Sequence, residues 1–284
     1  MTTASCLKPM IIDLNIGDQL TSISCGHVVV ELIKFIVYQR LQIPYSYQWL
    51  KQVITKKKEC QEKKDSFQSE RHFRIASTAL ENLDLILKSL LKEIDGASIP
   101  EEVCVALGAT PMTCKEIYRF LLPSVCHKPQ CHSTNIANDQ KIQRNVFKTL
   151  VTSEKLSKIL FDTLPPTNMF VFMKKKAESN LVCDGSFVST AGCRVPRSAK
   201  IIVLDLNSAV NKNLSCCNDF QVFGDVIHDD LVNLKLQETD EIVDSFNEIE
   251  SNEKSTWFQS NYIMKGFKDC IVNGNSVTST WLES

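Results

Sequence analysis

The segment Ser24–Leu50, SCGHVVVELIKFIVYQRLQIPYSYQWL, is the stretch on which the reading of this chain turns. Val29, Leu32, Ile33, Ile36 and Val37 recur at i, i+3, i+4, i+7 and i+8, which predicts an amphipathic helix with one buried stripe. Ser24 is placed to cap its start and Pro44 to end the pattern. Glu31, Lys34, Tyr38 and Gln42 fall on the opposite, solvent side. Gln39 belongs to neither face. At about 100° per residue it lies roughly 80° from the stripe centre, beside Leu32 and Phe35, where an uncharged amide can donate and accept at a partner surface. A solvated helix-edge amide is the plainer reading of the same position.

Working outward, the lysine-rich stretch Lys56–Lys64 (KKKECQEKK) has no apolar periodicity and reads as an exposed loop. Phe73, Ala76, Leu80, Leu83, Leu87, Leu90 and Ile94 then step by three and four, predicting a long helix that ends near Gly96. Val103–Leu107 is a short apolar run closed by Gly108 and followed by Pro111, which suits a buried strand and a turn. The next segment, Lys115–Leu122, fits either a strand or a helix on its own residues. Residues 123–139 are polar and carry Pro129, so they read as a loop.

A third helix is expected from about Asp139 to Leu164, with Ile142, Val146, Leu150, Leu160 and Leu164 as its stripe and Pro165 and Pro166 as its stop. Phe147 lies about 100° from Val146, off that stripe, so its ring needs either a neighbouring element or another protein to cover it. A core aromatic is the simpler alternative. Short strands are expected at Met169–Met173 and Lys200–Leu206. Trp257–Lys268 is aromatic and strand-like, with Gly266 as a bulge or turn, and must dock on the body or on a partner.

The chain has 284 residues, 43% hydrophobic and 23% charged, enough for one large core or two small ones. Its net charge of −1 argues against wholesale nucleic-acid binding, which needs a basic surface. That average hides a split: residues 225–253 carry ten acidic residues and one lysine, net −9, which leaves +8 on the remainder. The stretch from about 207 to 254 is therefore expected to be a polar acidic insertion. MTTASCLKPM lacks the apolar centre of a secretory signal, and the run Val28–Val37 is interrupted by Glu31 and Lys34. An intracellular protein with no membrane span is expected, with its twelve cysteines reduced.

Signatures of catalysis are missing from the sequence: it contains no phosphate-cradling G-x-x-x-x-G-K-[ST], no G-x-G-x-x-G, no G-x-S-x-G and no H-E-x-x-H. Cys126, His127, Cys131 and His132 place four soft ligands within seven residues. Structural zinc sites normally set two ligand pairs on separate elements, so unligated loop residues are the simpler reading. A Cys–His nucleophile there lacks an orienting third group. Cys216 and Cys217 read as free thiols, because a vicinal disulfide is strained.

The first helix, together with Val103–Tyr118 (VCVALGATPMTCKEIY), Gln143–Phe147 (QRNVF), Arg194–Leu206 (RVPRSAKIIVLDL) and Trp257–Lys268 (WFQSNYIMKGFK), resembles the comet adaptor family in the family's own order. That resemblance implies a HORMA-like α+β fold: three principal helices on a mostly antiparallel sheet, with Val103–Leu107 and Lys115–Leu122 as a central hairpin. It implies a flexible N-terminus at 1–20 and a single domain at 21–284. It also implies a C-terminal safety-belt segment that includes Trp257, Phe258, Gln259, Gly266 and Phe267 and fills the protein's own peptide site.

Functionally, the resemblance implies a non-enzymatic adaptor, without cofactor or metal, that binds the closed conformer of the mitotic-arrest-deficient HORMA protein of the spindle checkpoint. The adaptor presents that partner to an AAA+ remodelling ATPase of the pachytene-checkpoint type, silencing the checkpoint and promoting mitotic exit. The implied partner contacts are Gln39, Phe147, Phe35 and Arg144, and Arg194 is the implied ATPase contact. This chain departs from the family in carrying Ser189 and Thr190 where the family has a Pro-Lys pair. The implied location is nucleus and cytoplasm, reaching the spindle or kinetochore in mitosis. A HORMA-like scaffold for another client and a zinc-containing interaction protein are the alternatives.

Overall fold

Strand β2 (Glu102–Gly108) is buried along its whole length, and its sequence is accordingly an unbroken apolar run rather than an alternating one. In the computed structural model, which describes residues 8–14, 16, 20–59, 66–96, 98–123, 139–176, 185–193, 195–206 and 255–283, β2 lies near the middle of an eight-stranded sheet. It pairs antiparallel with β3 (Cys114–Leu121) on one side and β4 (Asn168–Lys176) on the other. The ambiguous segment after Pro111 is thus a strand. Gly108 ends β2 where the β3 register shifts, and a Cβ there would stand 2.3 Å from Cys114 Cα.

The sheet extends from β3 through β6 (Lys200–Asp205) to β1 (Met10–Asp13), both steps parallel. From β4 it continues antiparallel through β7 (Ser255–Ser260) to β5 (Phe187–Thr190). The short β8 (Met264–Lys265) adds beside the start of β4. Val103, Val105 and Leu107 of β2 face a core shared with α1 (Ser22–Gln39) and α3 (Phe67–Ile94), while Cys104 and Ala106 face a second, smaller cluster. Helices backing a mostly antiparallel sheet make this an α+β architecture, in keeping with the HORMA-like fold that the resemblance implies.

The structure departs from several of these expectations. Thr21 caps α1, its hydroxyl accepting from Ser24 N at 3.1 Å, and the helix ends at Gln39. Leu41 then takes φ 52°, and the chain turns into a separate α2 (Tyr47–Glu59). Gln42 lies fully buried in that turn instead of on a solvent face. Its amide donates to Arg40 O and accepts from Thr167 N, both at 2.7 Å, so a polar residue in the interior is satisfied on both sides. Lys56–Glu59 belong to α2, whose inner side buries Leu50, Val53 and Ile54. Consecutive lysines hid that periodicity.

The flexible tail expected at 1–20 is corrected over its described part: β1 pairs with β6, and Leu14, Ile16 and Leu20 are core residues. Four residues are too few for an alternation to register in sequence. The third helix is two helices, α4 (Asp139–Thr152) and α5 (Glu154–Phe161). Ser153 interrupts them, its hydroxyl accepting from Leu156 N at 3.3 Å as a fresh N-cap, with Glu154 in the favourable first turn. The Cys126–His132 cluster, Cys216, Cys217 and the acidic stretch 207–254 lie outside the described residues.

The C-terminal segment crosses from the sheet to the helical side. Gly266 N donates to Thr167 O at 2.8 Å and Phe267 N to Gln42 O at 2.9 Å. A Cβ on Gly266 would stand 2.8 Å from both Gln42 Oε1 and Thr167 O, so only glycine permits this crossing. Beyond it come a small hairpin, β9 (Ile271–Val272) and β10 (Asn275–Ser276), and α6 (Val277–Glu283). Trp281 of α6 is buried, packing edge-on to Phe73 and donating to Ser69 Oγ at 2.9 Å. His72 Nε2 lies 3.2 Å from Asp269 and 2.9 Å from the Thr278 hydroxyl, which donates to Asp269 at 2.6 Å.

Candidate partner-binding face

Phe35 and Gln39 occupy successive turns at the end of α1, and Arg144, Phe147 and Val151 occupy successive turns of α4. The two helices meet through an edge-to-face contact between Phe35 and Phe147, ring centroids 5.6 Å apart and planes at 65°. Both rings are half-buried, whereas Gln39 and Arg144 are exposed. Phe35 and Gln39 line a surface cleft of about 330 Å³ with Leu150, Val151, Ser157, Leu160 and Phe161. The ring and the amide singled out in the sequence thus sit on one continuous outer face, joined through Phe35.

Two residues of this face escaped the sequence reading. Val151 is 73% exposed and Phe161 89% exposed. Treating residues 139–164 as one helix gave Phe161 the wrong phase. The Ser153-Glu154 cap signature is the sequence signal that restarts the count, and with it Phe161 turns outward beside Gln39. Exposed large apolar side chains grouped around a half-covered aromatic pair are what a protein-docking surface requires.

Rigidity comes from Arg40, the residue after Gln39. Its guanidinium is 2% exposed and forms a fork on Glu116 of β3, Nε to Oε2 at 2.8 Å and Nη2 to Oε1 at 2.6 Å. Nη1 donates to the carbonyls at the end of α5, those of Ile159, Leu160 and Asp162, at 3.4, 3.3 and 2.7 Å. One side chain therefore satisfies a helix C-terminus, ties α1 to α5 and anchors both to the sheet. Tyr118 donates to Glu116 Oε2 at 2.9 Å, and burial pushes its hydroxyl above the ordinary range, with the Glu116 charge adding to the rise. Lys200 pairs with Asp162 at the rim and holds that carboxyl below its usual value through a hydrogen bond.

The safety-belt residues lie elsewhere. Phe258 points into the main core, Trp257 packs on the opposite cluster, and Gln259 pairs with Phe172 and Val188 in the ladder. Phe267 is buried edge-on to His72. Ser189 and Thr190 form the β5 edge opposite Phe258 and Trp257. Arg194 lies outside the described residues, and no group of three or more metal-ligating side chains occurs among the described ones.

A helix-backed, mostly antiparallel sheet with a C-terminal strand laid beside β4 fits the HORMA-like fold, and its adjoining helices carry the aromatic–amide face. Residues 2–206 match the family model described as p31comet: Mad1 and Cdc20-bound-Mad2 binding. That span exceeds half of the 284 residues, and the chain belongs to the p31comet family. No curated protein sequence matches the chain.

Proposed function

We propose that this chain is an adaptor that binds Mad2 in its closed conformer and presents it to an AAA+ remodelling ATPase, silencing the spindle assembly checkpoint. The family's description as binding Mad1- and Cdc20-bound Mad2 supports the partner. The observation that carries the site is the Phe35–Phe147 contact, which merges α1 and α4 into one face bearing Gln39, Val151 and Phe161. A two-state partner offers this face only in the state whose surface matches it, so binding selects a conformer rather than creating one. The energy of conversion belongs to the ATPase.

Phe147 and Phe35 act as the apolar anchors, Gln39 supplies a hydrogen bond that becomes desolvated on docking, and Arg144 lies at the rim. Arg194 remains the candidate ATPase contact. The complex belongs to the nucleus and cytoplasm, and to the spindle or kinetochore in mitosis. Titration calorimetry with purified closed and open Mad2 tests the reading. The closed form is expected to bind and the open form to bind much more weakly, and equal affinities would overturn it.

A further inference from the structure

The face of the sheet turned away from α1 and α3 carries a cluster in which three of the twelve cysteines meet. Cys104 of β2 and Cys114 of β3 are buried there, and Cys193, in the loop between β5 and β6, packs half-buried against them. Cys104 and Cys193 lie near enough in this cluster for each to shift the other's titration. Cys104 Sγ donates its proton to Glu102 Oε1 at 2.9 Å. Arg119 grips that carboxylate, Nε to Oε1 at 2.5 Å and Nη2 to Oε2 at 2.7 Å, and is the ladder partner of Cys104.

We propose that Cys104 and Cys193 form a redox-active dithiol, closed to a disulfide by a peroxide oxidant, that staples the β5–β6 loop to the central strand. The two thiols have distinct roles. The neighbouring Cys104 side chain holds Cys193 below its ordinary value, burial and Glu102 work against this, and Arg119 assists. Cys104 is pushed well above its ordinary value by the neighbouring Cys193 side chain, burial and the Glu102 charge. The more accessible partner is thus the better thiolate and the buried partner a protonated thiol in reserve, the arrangement of an attacking and a resolving cysteine. Cys114, pushed up to about 11 chiefly by burial, stays a thiol.

In the first step the Cys193 thiolate attacks one peroxide oxygen, the O–O bond breaks and hydroxide leaves, giving a sulfenic acid. In the second the Cys104 sulfur attacks the Cys193 sulfur, its proton passing through the Glu102 carboxylate to the departing hydroxide. The S–S bond forms, the S–O bond breaks and water leaves. Two thiols and one hydrogen peroxide give one disulfide and two waters, with two electrons moved to the peroxide. Transient, sensing disulfides are the kind a reducing compartment permits. None of the residues of the proposed docking face takes part, so the two readings stand or fall separately.

The test is peptide mapping without reduction after the reduced full-length chain is titrated with hydrogen peroxide and its remaining thiols are alkylated. A Cys104–Cys193 cross-linked peptide is expected at lower peroxide than any cross-link to Cys114 or Cys270, and dithiothreitol should reverse it. In Cys104→Ser the sulfenic acid on Cys193 should persist and be captured by dimedone, and Cys193→Ser should abolish both products. Because Cys193 sits half-exposed in a loop, that variant keeps the assay usable if the buried change unfolds the chain. Full alkylation of Cys193 after peroxide, or its pairing first with another cysteine, would overturn the proposal.

Discussion

Replacing Glu116 with glutamine removes the counter-charge of a guanidinium that has no route to water. Arg40 is 2% and Glu116 3% exposed, so solvent screening is minimal. The glutamine amide retains one acceptor for the two guanidinium nitrogens now bound to carboxylate oxygens, and it turns an NH₂ toward the other. Breaking a buried pair in this way costs about 3–5 kcal/mol, because the remaining charge stays desolvated and unpaired. Against a typical stability of about 5–15 kcal/mol this is a large share, and it corresponds to a melting-point loss of about 6–20 °C in a chain of this size. Denaturant unfolding of wild type and Glu116→Gln measures it. The double variant Arg40→Met/Glu116→Gln should recover much of the loss, since removing both partners of a buried pair is far cheaper than removing one. A loss below about 1 kcal/mol in the single variant would refute the idea that this pair fixes α1 and α5 to the sheet.

Gly266→Ala should destabilise by about 1–3 kcal/mol in the same assay, because the added methyl meets the Thr167 backbone and the buried Gln42 amide. Phe161→Ala should leave stability within about 0.5 kcal/mol of wild type, as expected for a side chain 89% exposed, while weakening capture of closed Mad2. Stability should fall as pH drops below the ordinary histidine value of 6.5. Burial lowers the folded His72 below that value, although Asp269 opposes the shift, so the unfolded chain binds more protons in that window and protonation favours unfolding. His72→Gln should flatten this part of the pH profile, and an unchanged slope in urea midpoints would exclude His72 as its source.

Long periodic elements were legible in the sequence, and junctions were not. The stripes Val29–Val37 and Phe73–Ile94 are seated where their spacing puts them, because burial of one helix face is a property of local sequence. Gln42 was misplaced because a helical phase was carried past Gln39, and nothing local announces that Thr167, 125 residues away, will donate to it. Arg40 reads as an ordinary solvated arginine until β3 and α5 arrive from elsewhere in the chain. β1 and β5 have four residues each and draw their stability from ladder partners distant in sequence. Likewise α6 depends on Trp281 finding Phe73 and Ser69.

For the proposed docking face, the aromatic and the amide stood out in the sequence because they departed from the stripe, and the family resemblance is what implied a partner contact for them. Their convergence required the crossing of α1 and α4 at Phe35. Val151 and Phe161 became visible once the Ser153 cap divided the helix.

The most direct measurement is the affinity of closed Mad2 for the variants Gln39→Ala and Phe147→Ala beside wild type, with circular dichroism and melting curves taken on the same samples. Truncating an interface anchor costs about 2 kcal/mol or more, which is roughly a 30-fold rise in Kd. Gln39 is exposed, so its loss should appear in binding with no change in melting; Phe147 should lose affinity beyond any drop in melting point. Wild-type affinity in both folded variants would contradict the assignment of this face to the partner.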